Sequence, residues 1–153
     1  MIDGFCVREV TSRAGMPRKV IDHAEDMIDK ALSGVVEPEN TATYLPSINS
    51  IRDMDAFLDT ASAEHMFKLR DLLRRLSATP EYPVLSVHDS FRSSPKFMGN
   101  IAGEYREVLA QLTESRTMEN ILRELSGDDY GIADTQTKIA MAEEVRQSQF
   151  SLS

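Results

Sequence analysis

The sequence predicts an α+β fold that is mostly helical and contains one short β-hairpin. Five segments repeat apolar residues at helical spacing, and one short run is apolar and β-branched at nearly every position. No internal repeat, low-complexity tract or linker divides the chain. Its 153 residues are the length of one ordinary domain. We therefore expect a single domain over residues 1–153.

The first predicted helix lies in "GMPRKVIDHAEDMIDKALSG". Pro17 suits its first turn, and Gly34 is placed to end it. The apolar residues between them recur at helical spacing: Val20, Ile21, Ala24, Met27, Ile28 and Ala31. The next stretch, "VVEPENTATYLPSINS", has two prolines, two asparagines and no lasting period, which is typical of an extended connection.

The second predicted helix lies in "DTASAEHMFKLRDLLRRLSATP". Asp59 or Thr60 is the expected N-cap. An apolar stripe follows over several turns, formed by Met66, Leu69, Leu72, Leu73 and Leu76. This is also the most basic helix of the chain, through Lys68, Arg70, Arg74 and Arg75.

The predicted strand is "YPVLSV", and its apolar, β-branched composition favours burial on both faces. On a regular strand Asp89 would share the side of Leu85 and Val87. An unpaired buried carboxylate costs roughly several kcal/mol. The strand must therefore turn at Asp89, or the carboxylate must meet a cation. An ordinary Asp-Ser turn and a metal ligand at a strand tip both fit this pattern.

Three further helices follow the strand. The longest, in "SSPKFMGNIAGEYREVLAQLTES", has Ser93 or Ser94 as its cap and Pro95 at its first position. Its apolar face comprises Phe97, Ile101, Tyr105, Val108 and Leu112. A short amphipathic helix in "TMENILRELSG" carries Met118, Ile121, Leu122 and Leu125. The last helix is "DTQTKIAMAEEVRQ", for which Asp134 is the expected cap.

Composition limits the classes of function. Apolar residues make up 41% of the chain and charged residues 27%, which is typical of a globular protein, and no apolar run is long enough for a membrane span. The net charge of −8 disfavours a broad phosphate-binding surface, so a nucleic-acid contact would have to be local or shared with another chain. The single cysteine, Cys6, and the lack of a leader pattern predict a cytoplasmic protein.

The stretch "VLSVHDSF" resembles the last palm motif of bacteriophage-type single-subunit DNA-directed RNA polymerases, which are related to family A DNA polymerases. Other stretches resemble pieces of the same C-terminal portion, in the same order and at similar spacing. They are "DGFCV", "LPSIN", "SAEHM", the helix from "SPKFMGN" to "TES", and "SQFSLS" at the chain end. This resemblance spans nearly the whole chain. It implies a part of the palm and fingers, with a motif hairpin at about residues 82–93 and flanking helices.

The resemblance implies a catalytic role for two residues. Asp89 would be one of two aspartates, from separate strands, that bind two Mg²⁺ ions for nucleotidyl transfer. His88 would lie beside the metals and the 3′ end of the growing RNA. The implied partners are the DNA template, the RNA product and nucleoside triphosphates, and the implied location is the cytoplasm of a bacterial host or the phage virion.

The resemblance also implies several contacts outside the hairpin. His65 would touch the newly formed base pair, Pro46 to Asn49 would lie along the template and product duplex, and Phe150 to Ser153 would form a C-terminal foot near the active site. Each has a structural alternative. These are a partly buried helix histidine, a simple connection and a frayed chain end, respectively.

Two features depart from the family. In the family, the other catalytic aspartate and the helix that binds the nucleotide lie upstream of every motif seen here. No carboxylate of this chain is expected to replace that aspartate. Residues Asp53 and Asp55 lie in a segment that resembles a helix start, and Asp128 and Asp129 lie in one that resembles a loop. Arg92 stands where the family usually has glycine, so a different hairpin turn is expected. We therefore expect the chain to be inactive alone and to need a second polypeptide with the rest of the palm and fingers. The alternative is an acidic helical protein-interaction module without catalysis.

Overall fold

The computed structural model describes residues 2–88 and 90–149, and within them the chain forms seven α-helices, two 3₁₀ helices and one antiparallel β-hairpin. The helices are α1 (Ile2–Gly15), α2 (Arg18–Ala31), α3 (Met54–Thr60), α4 (Ala63–Ser77), α5 (Met98–Glu114), α6 (Thr117–Ser126) and α7 (Thr135–Gln147). The 3₁₀ helices are Ile48–Asp53 and Pro95–Phe97, and the strands are β1 (Leu85–Val87) and β2 (Ser90–Arg92). The predicted mostly helical α+β class is confirmed.

Helix α1 was not among the predicted helices. Its buried positions are Cys6, Glu9, Val10, Arg13 and Ala14. They follow helical spacing, but two of the five carry charge, so the apolar stripe is too narrow to be recognised in the sequence. The helix thus buries the ion pair of Glu9 and Arg13 beside its three buried apolar residues.

One hydrophobic core lies between α2 and α4. It includes the apolar stripe predicted for α4 and most of that predicted for α2, whose Val20 and Ala31 are exposed instead. Helix α3 and the 3₁₀ helix Ile48–Asp53 close this core. The fully buried side chains at its centre are Ile21, Ile28, Ile48, Leu69 and Leu73. Burial of each such side chain contributes about 1.5–3 kcal/mol, which makes this core a main source of stability.

The predicted N-cap of the basic helix is wrong. Residues Asp59 and Thr60 belong to α3, and α4 starts later, with the Ser62 hydroxyl accepting a hydrogen bond from the His65 amide at 3.3 Å. Helix α3 has its own cap, because an Asp53 carboxylate oxygen accepts from the Ala56 amide at 3.1 Å. An extra short helix therefore occupies the stretch in which the sequence pattern suggested only a cap.

A second core lies between α1 and α5. Its buried side chains are Cys6, Val10, Ala14, Tyr82, Ile101, Val108 and Leu112. Helix α7 lies antiparallel along α5 on another face, since Lys138 donates to the Ser115 carbonyl while Arg146 pairs with Glu107 and Glu114. Helix α5 is thus the central support, with α1 and the hairpin near one side and α7 on another.

The predicted burial of the strand on both faces is wrong. Strand β1 begins at Leu85, and Leu85 and Val87 are 61% and 51% exposed. The two strands alternate, so only Ser86 and Phe91, which pair with each other, are half-buried. The other face is uncovered because the sheet, as far as the structure describes it, has two strands and no layer over that face.

The remaining elements follow the predictions in type but less well in burial. Helix α6 forms as expected and ends at Gly127, whose φ of 78° suits glycine, yet Leu125 is 79% exposed and the buried residue of the helix is Glu119. Residue Ser94 precedes the 3₁₀ helix Pro95–Phe97 without a side-chain capping bond. Helix α7 is capped as predicted by Asp134, which accepts from the Thr137 amide at 2.9 Å. Within residues 2–88 and 90–149, no helix has the length and apolar character needed to cross a membrane.

Candidate functional site at the hairpin and helix α1

The "HDSF" motif lies at a tight hairpin turn. Val87 pairs with Ser90, so two residues separate the paired positions. His88 has a φ of 55°, in the left-handed region that two-residue hairpin loops require at their first central position. The chain therefore turns at His88, one position before the expected turn, and leaves this side chain exposed. The predicted metal ligand, Asp89, lies outside the described residues.

Arg92, for which a different hairpin turn was expected, does not lie in the turn itself. Arg92 is in β2, where it pairs with Leu85. The residue at this position needs only extended backbone, which arginine adopts freely. The arginine at position 92 therefore changes the surface of β2 and not the conformation of the turn.

A groove of about 850 Å³ separates the hairpin tip from α1. Ser86 and His88 line the hairpin side. The helix side is lined by Asp3, Gly4, Val7, Arg8, Thr11 and Ser12. The groove thus offers one guanidinium, one carboxylate, one imidazole and several hydroxyl groups, a set suited to a polar ligand.

A second groove, of about 530 Å³, lies between α1 and the segment that contains the 3₁₀ helix Ile48–Asp53. Its lining includes Arg8 and Ser12, which also line the first groove, together with Phe5, Glu9, Ser47, Asn49 and Arg52. The two grooves therefore adjoin along α1. The hairpin motif and the "LPSIN" segment, about forty residues apart in sequence, flank the same helix.

A buried carboxylate fixes the "LPSIN" segment against α1. Oε1 of Glu9 accepts from the Ser47 hydroxyl and from Nδ2 of Asn49, the latter at 3.2 Å. Its Oε2 accepts from the Ile48 amide and from Nε of Arg13, both at 3.1 Å. Three successive residues of the segment are thereby held by one side chain. The signal available in the sequence was the i, i+4 spacing of Glu9 and Arg13.

Arg13 continues this network into the interior. Its NH2 donates to Oε1 of Gln111 at 2.8 Å and to the Pro46 carbonyl at 3.4 Å, and its NH1 donates to Oε2 of Glu104 at 3.5 Å. Burial lowers the pKa of Arg13, and the neighbouring charges of Glu9 and Glu104 oppose that shift. Pro46 is itself fully buried, so the prediction that Pro46 contacts nucleic acid needs correction. Its carbonyl accepts from the buried Arg13, whereas Asn49 is partly exposed.

His65 lies in the first turn of α4 and not in either groove. Its ring stacks on Tyr44 with the centroids 5.4 Å apart and contacts Phe57 edge-on at 5.2 Å. Burial lowers the pKa of His65, which favours the neutral imidazole. The ring is half-buried, and these contacts match the structural alternative named for it, a partly buried helix histidine.

The predicted C-terminal foot, Phe150 to Ser153, lies outside the described residues. The chain before it leaves α7 beside the middle of α5, where NH1 of Arg106 donates to the Ser148 carbonyl at 3.3 Å. The adjacent Tyr105 contacts Phe91 of the hairpin, with ring centroids 6.0 Å apart. The last described residues are therefore level with the hairpin along α5.

The described residues do not by themselves provide a metal site. Within residues 2–88 and 90–149, no three side chains of His, Cys, Asp or Glu lie close enough together to hold a metal ion. Magnesium needs several oxygen ligands. A magnesium site at this hairpin would therefore depend on Asp89 and on carboxylates from another segment.

No family model matches the chain, and neither the curated proteins nor the solved structures include a significant match to it.

Proposed function

We propose that this chain is the C-terminal part of a phage-type DNA-directed RNA polymerase and supplies the palm motif hairpin. The observation that carries the proposal is the position of His88 in the two-residue turn of the hairpin, beside an open groove that includes charged and hydroxyl side chains. A carboxylate that acts in nucleotidyl transfer must be held rigidly and must remain accessible to a nucleotide. The exposed position of His88 in a tight hairpin turn next to a groove supports the proposal that this turn serves such a role.

The uncovered face of the hairpin supports the proposal that a second polypeptide packs against this chain. Two-stranded hairpins are only marginally stable alone. Leu85 and Val87 are exposed on the outer face, and both strand edges are open in the described part of the chain. Further palm strands, which in the proposed enzyme carry the other catalytic aspartate, would cover this surface.

The proposed roles follow from this arrangement. Asp89 is the magnesium ligand and His88 is its neighbour at the RNA 3′ end. When bound, the two Mg²⁺ ions would supply charge neutralisation at the transferred phosphate. Since one carboxylate is insufficient for such a site, the chain alone does not add nucleotides.

The test is reconstitution with a second chain that carries the rest of the palm and the fingers. The two chains together should extend a primed template, and the chain of 153 residues should not do so alone. Replacing Asp89 by Asn should abolish extension, whereas the matched change of Asp129 to Asn, in the loop after α6, should not. Normal extension by the Asp89→Asn variant would refute the assignment.

The second candidate function is a helical interaction module without catalysis. It is favoured by the exposed apolar residues on and after α6, namely Leu125, Tyr130 and Ile132. Under that function the chain binds a protein partner through α6, and changes at the hairpin leave binding unaffected. If Leu125→Ser abolishes association with a partner chain and changes at the hairpin do not, the result would favour this alternative.

A further inference from the structure

The groove between α1 and the 3₁₀ helix Ile48–Asp53 brings two arginines to one surface. Arg8 comes from α1 and Arg52 from the 3₁₀ helix, and both are exposed and line this groove. Within the part of the chain that the structure describes, the side chain of Arg8 makes no hydrogen bond or ion pair. Arg52 makes one hydrogen bond, from Nε to Oδ1 of Asn49 at 3.0 Å. Its two terminal nitrogens therefore remain available for a ligand.

The orientation of Arg52 is set by the buried network. Oδ1 of Asn49 accepts from Arg52 and also from the Ser12 hydroxyl, the latter at 3.3 Å. Its Nδ2 donates to Glu9. The amide of Asn49 thus has defined partners on both ends, and it holds the guanidinium by one nitrogen while the terminal fork is left open.

The local charge of this groove differs from that of the whole chain. The carboxylate in its lining, Glu9, is compensated by the buried cation of Arg13. Asp53, next to Arg52 in sequence, accepts from the Ala56 amide as the cap of α3. Asp3 lies in the adjoining hairpin groove. In a chain with a net charge of −8, the charged residues lining this groove are therefore two arginines and one carboxylate that is paired with a buried arginine.

We propose that Arg8 and Arg52 bind phosphodiester groups of a nucleic-acid backbone in this groove. A guanidinium presents planar, paired N–H donors that match phosphate oxygens. The groove adjoins the hairpin groove through Arg8, so a strand could run from one to the other along α1. The proposal deepens the proposed polymerase function, on which its choice of a nucleic-acid backbone over a free phosphate rests.

The experiment measures binding of a labelled RNA–DNA hybrid by the whole chain, using fluorescence anisotropy over a series of salt concentrations without magnesium. The variants are Arg8→Ala, Arg52→Ala and the double variant. Arg123→Ala is the matched control, because it removes an exposed arginine whose one bond in the described residues is to Asn120. Circular dichroism checks that each variant is folded.

Each groove variant should weaken binding by about tenfold at low salt. Each should also lower the slope of log affinity against log salt by about 1, and the double variant by about 2. The control should change neither. Equal affinity and slope for the double variant and the native chain would overturn the proposal, as would a native chain that does not bind the hybrid.

Two added measurements identify the source of the phosphate. Inorganic phosphate or a nucleoside triphosphate, each at equal phosphate concentration, should displace the hybrid poorly, because a polymeric backbone presents many linked phosphates to the groove and releases more counterions on binding. Displacement as efficient as that by unlabelled hybrid would overturn the nucleic-acid assignment in favour of a free phosphate. Hybrid binding is measured without magnesium and without nucleotide addition, so the failure of nucleotide addition and the failure of this groove are separate results.

Discussion

Replacing Arg13 by methionine tests the role of the buried network most directly. Methionine has a similar length but no charge and no donor. The substitution leaves the Glu9 carboxylate, which is 1% exposed, without its cation, while the donors from Ser47, Ile48 and Asn49 remain. A buried charge that loses its partner is strongly destabilising, because no water compensates it.

The expected loss is about 3 kcal/mol in the free energy of unfolding. Breaking a buried ion pair by removal of one partner costs about 3–5 kcal/mol, and the three remaining donors to Glu9 favour the low end. Small domains have a total stability of about 5–15 kcal/mol, so this is a large fraction. With an m-value of about 2 kcal/mol/M, the urea midpoint should fall by about 1.5 M.

The measurement is urea denaturation at pH 7, followed by far-ultraviolet circular dichroism. Arg74→Met is the matched control, because Arg74 is 48% exposed and pairs with Glu25 and Asp29 at the surface, where such pairs contribute about 0–1 kcal/mol. The double variant Glu9→Gln with Arg13→Met should lose less than the sum of the two single changes. If Arg13→Met costs no more than Arg74→Met, the buried ion pair does not stabilise the fold as argued.

Two further predictions concern His65 and the exposed hairpin face. Burial lowers the pKa of His65, so its unfolded form takes up a proton first, and stability should decline as pH falls from about 6.5 through the lower folded pKa. In thermal or urea unfolding between pH 7 and 5.5, the stability of His65→Phe should decline less than that of the native chain. The exposed control His23→Gln should match the native chain. Equal declines in stability for His65→Phe and the native chain would contradict the burial argument. Leu85→Lys with Val87→Lys should change the stability of this chain by at most about 0.5 kcal/mol, since both side chains are exposed, yet should prevent association with the chain that carries the rest of the palm in a pull-down assay. Leu125→Lys on α6 is the control, and unchanged association of the hairpin variant would show that this face is not the interface.

Helices with a wide apolar stripe were predictable from the sequence, and α1 shows why others were not. Helices α2 and α4 bury continuous apolar stripes in a shared core, so periodicity alone identifies them. Helix α1 buries Glu9 and Arg13 on the same face as its apolar residues. Their burial depends on partners such as Gln111 and Ser47, which are distant in sequence. The local sequence pattern of α1 therefore cannot predict that these two charged residues are buried.

The strand illustrates a different limit. Its apolar, β-branched sequence correctly predicted extended structure but not its exposure. The composition of a strand indicates that it is suited to burial. It does not indicate whether the layer that covers the strand belongs to the same chain. The exposed outer face is therefore informative, because a strand suited to burial and left uncovered is typical of a surface that another polypeptide covers.

The candidate site depends on spatial relations that motif order could not supply. The sequence marked "HDSF" and "LPSIN" separately, and the structure places both beside α1, with Arg8 between the two grooves. The role in stability and the proposed role in binding fall on neighbouring residues of that helix. Glu9 faces inward and holds the segment, so its loss would disturb the fold and the site together. The Arg8 side chain is exposed and makes no hydrogen bond or ion pair within the described residues, so its replacement should leave the fold intact. A change in nucleic-acid binding on replacement of Arg8 would therefore report on recognition rather than on folding.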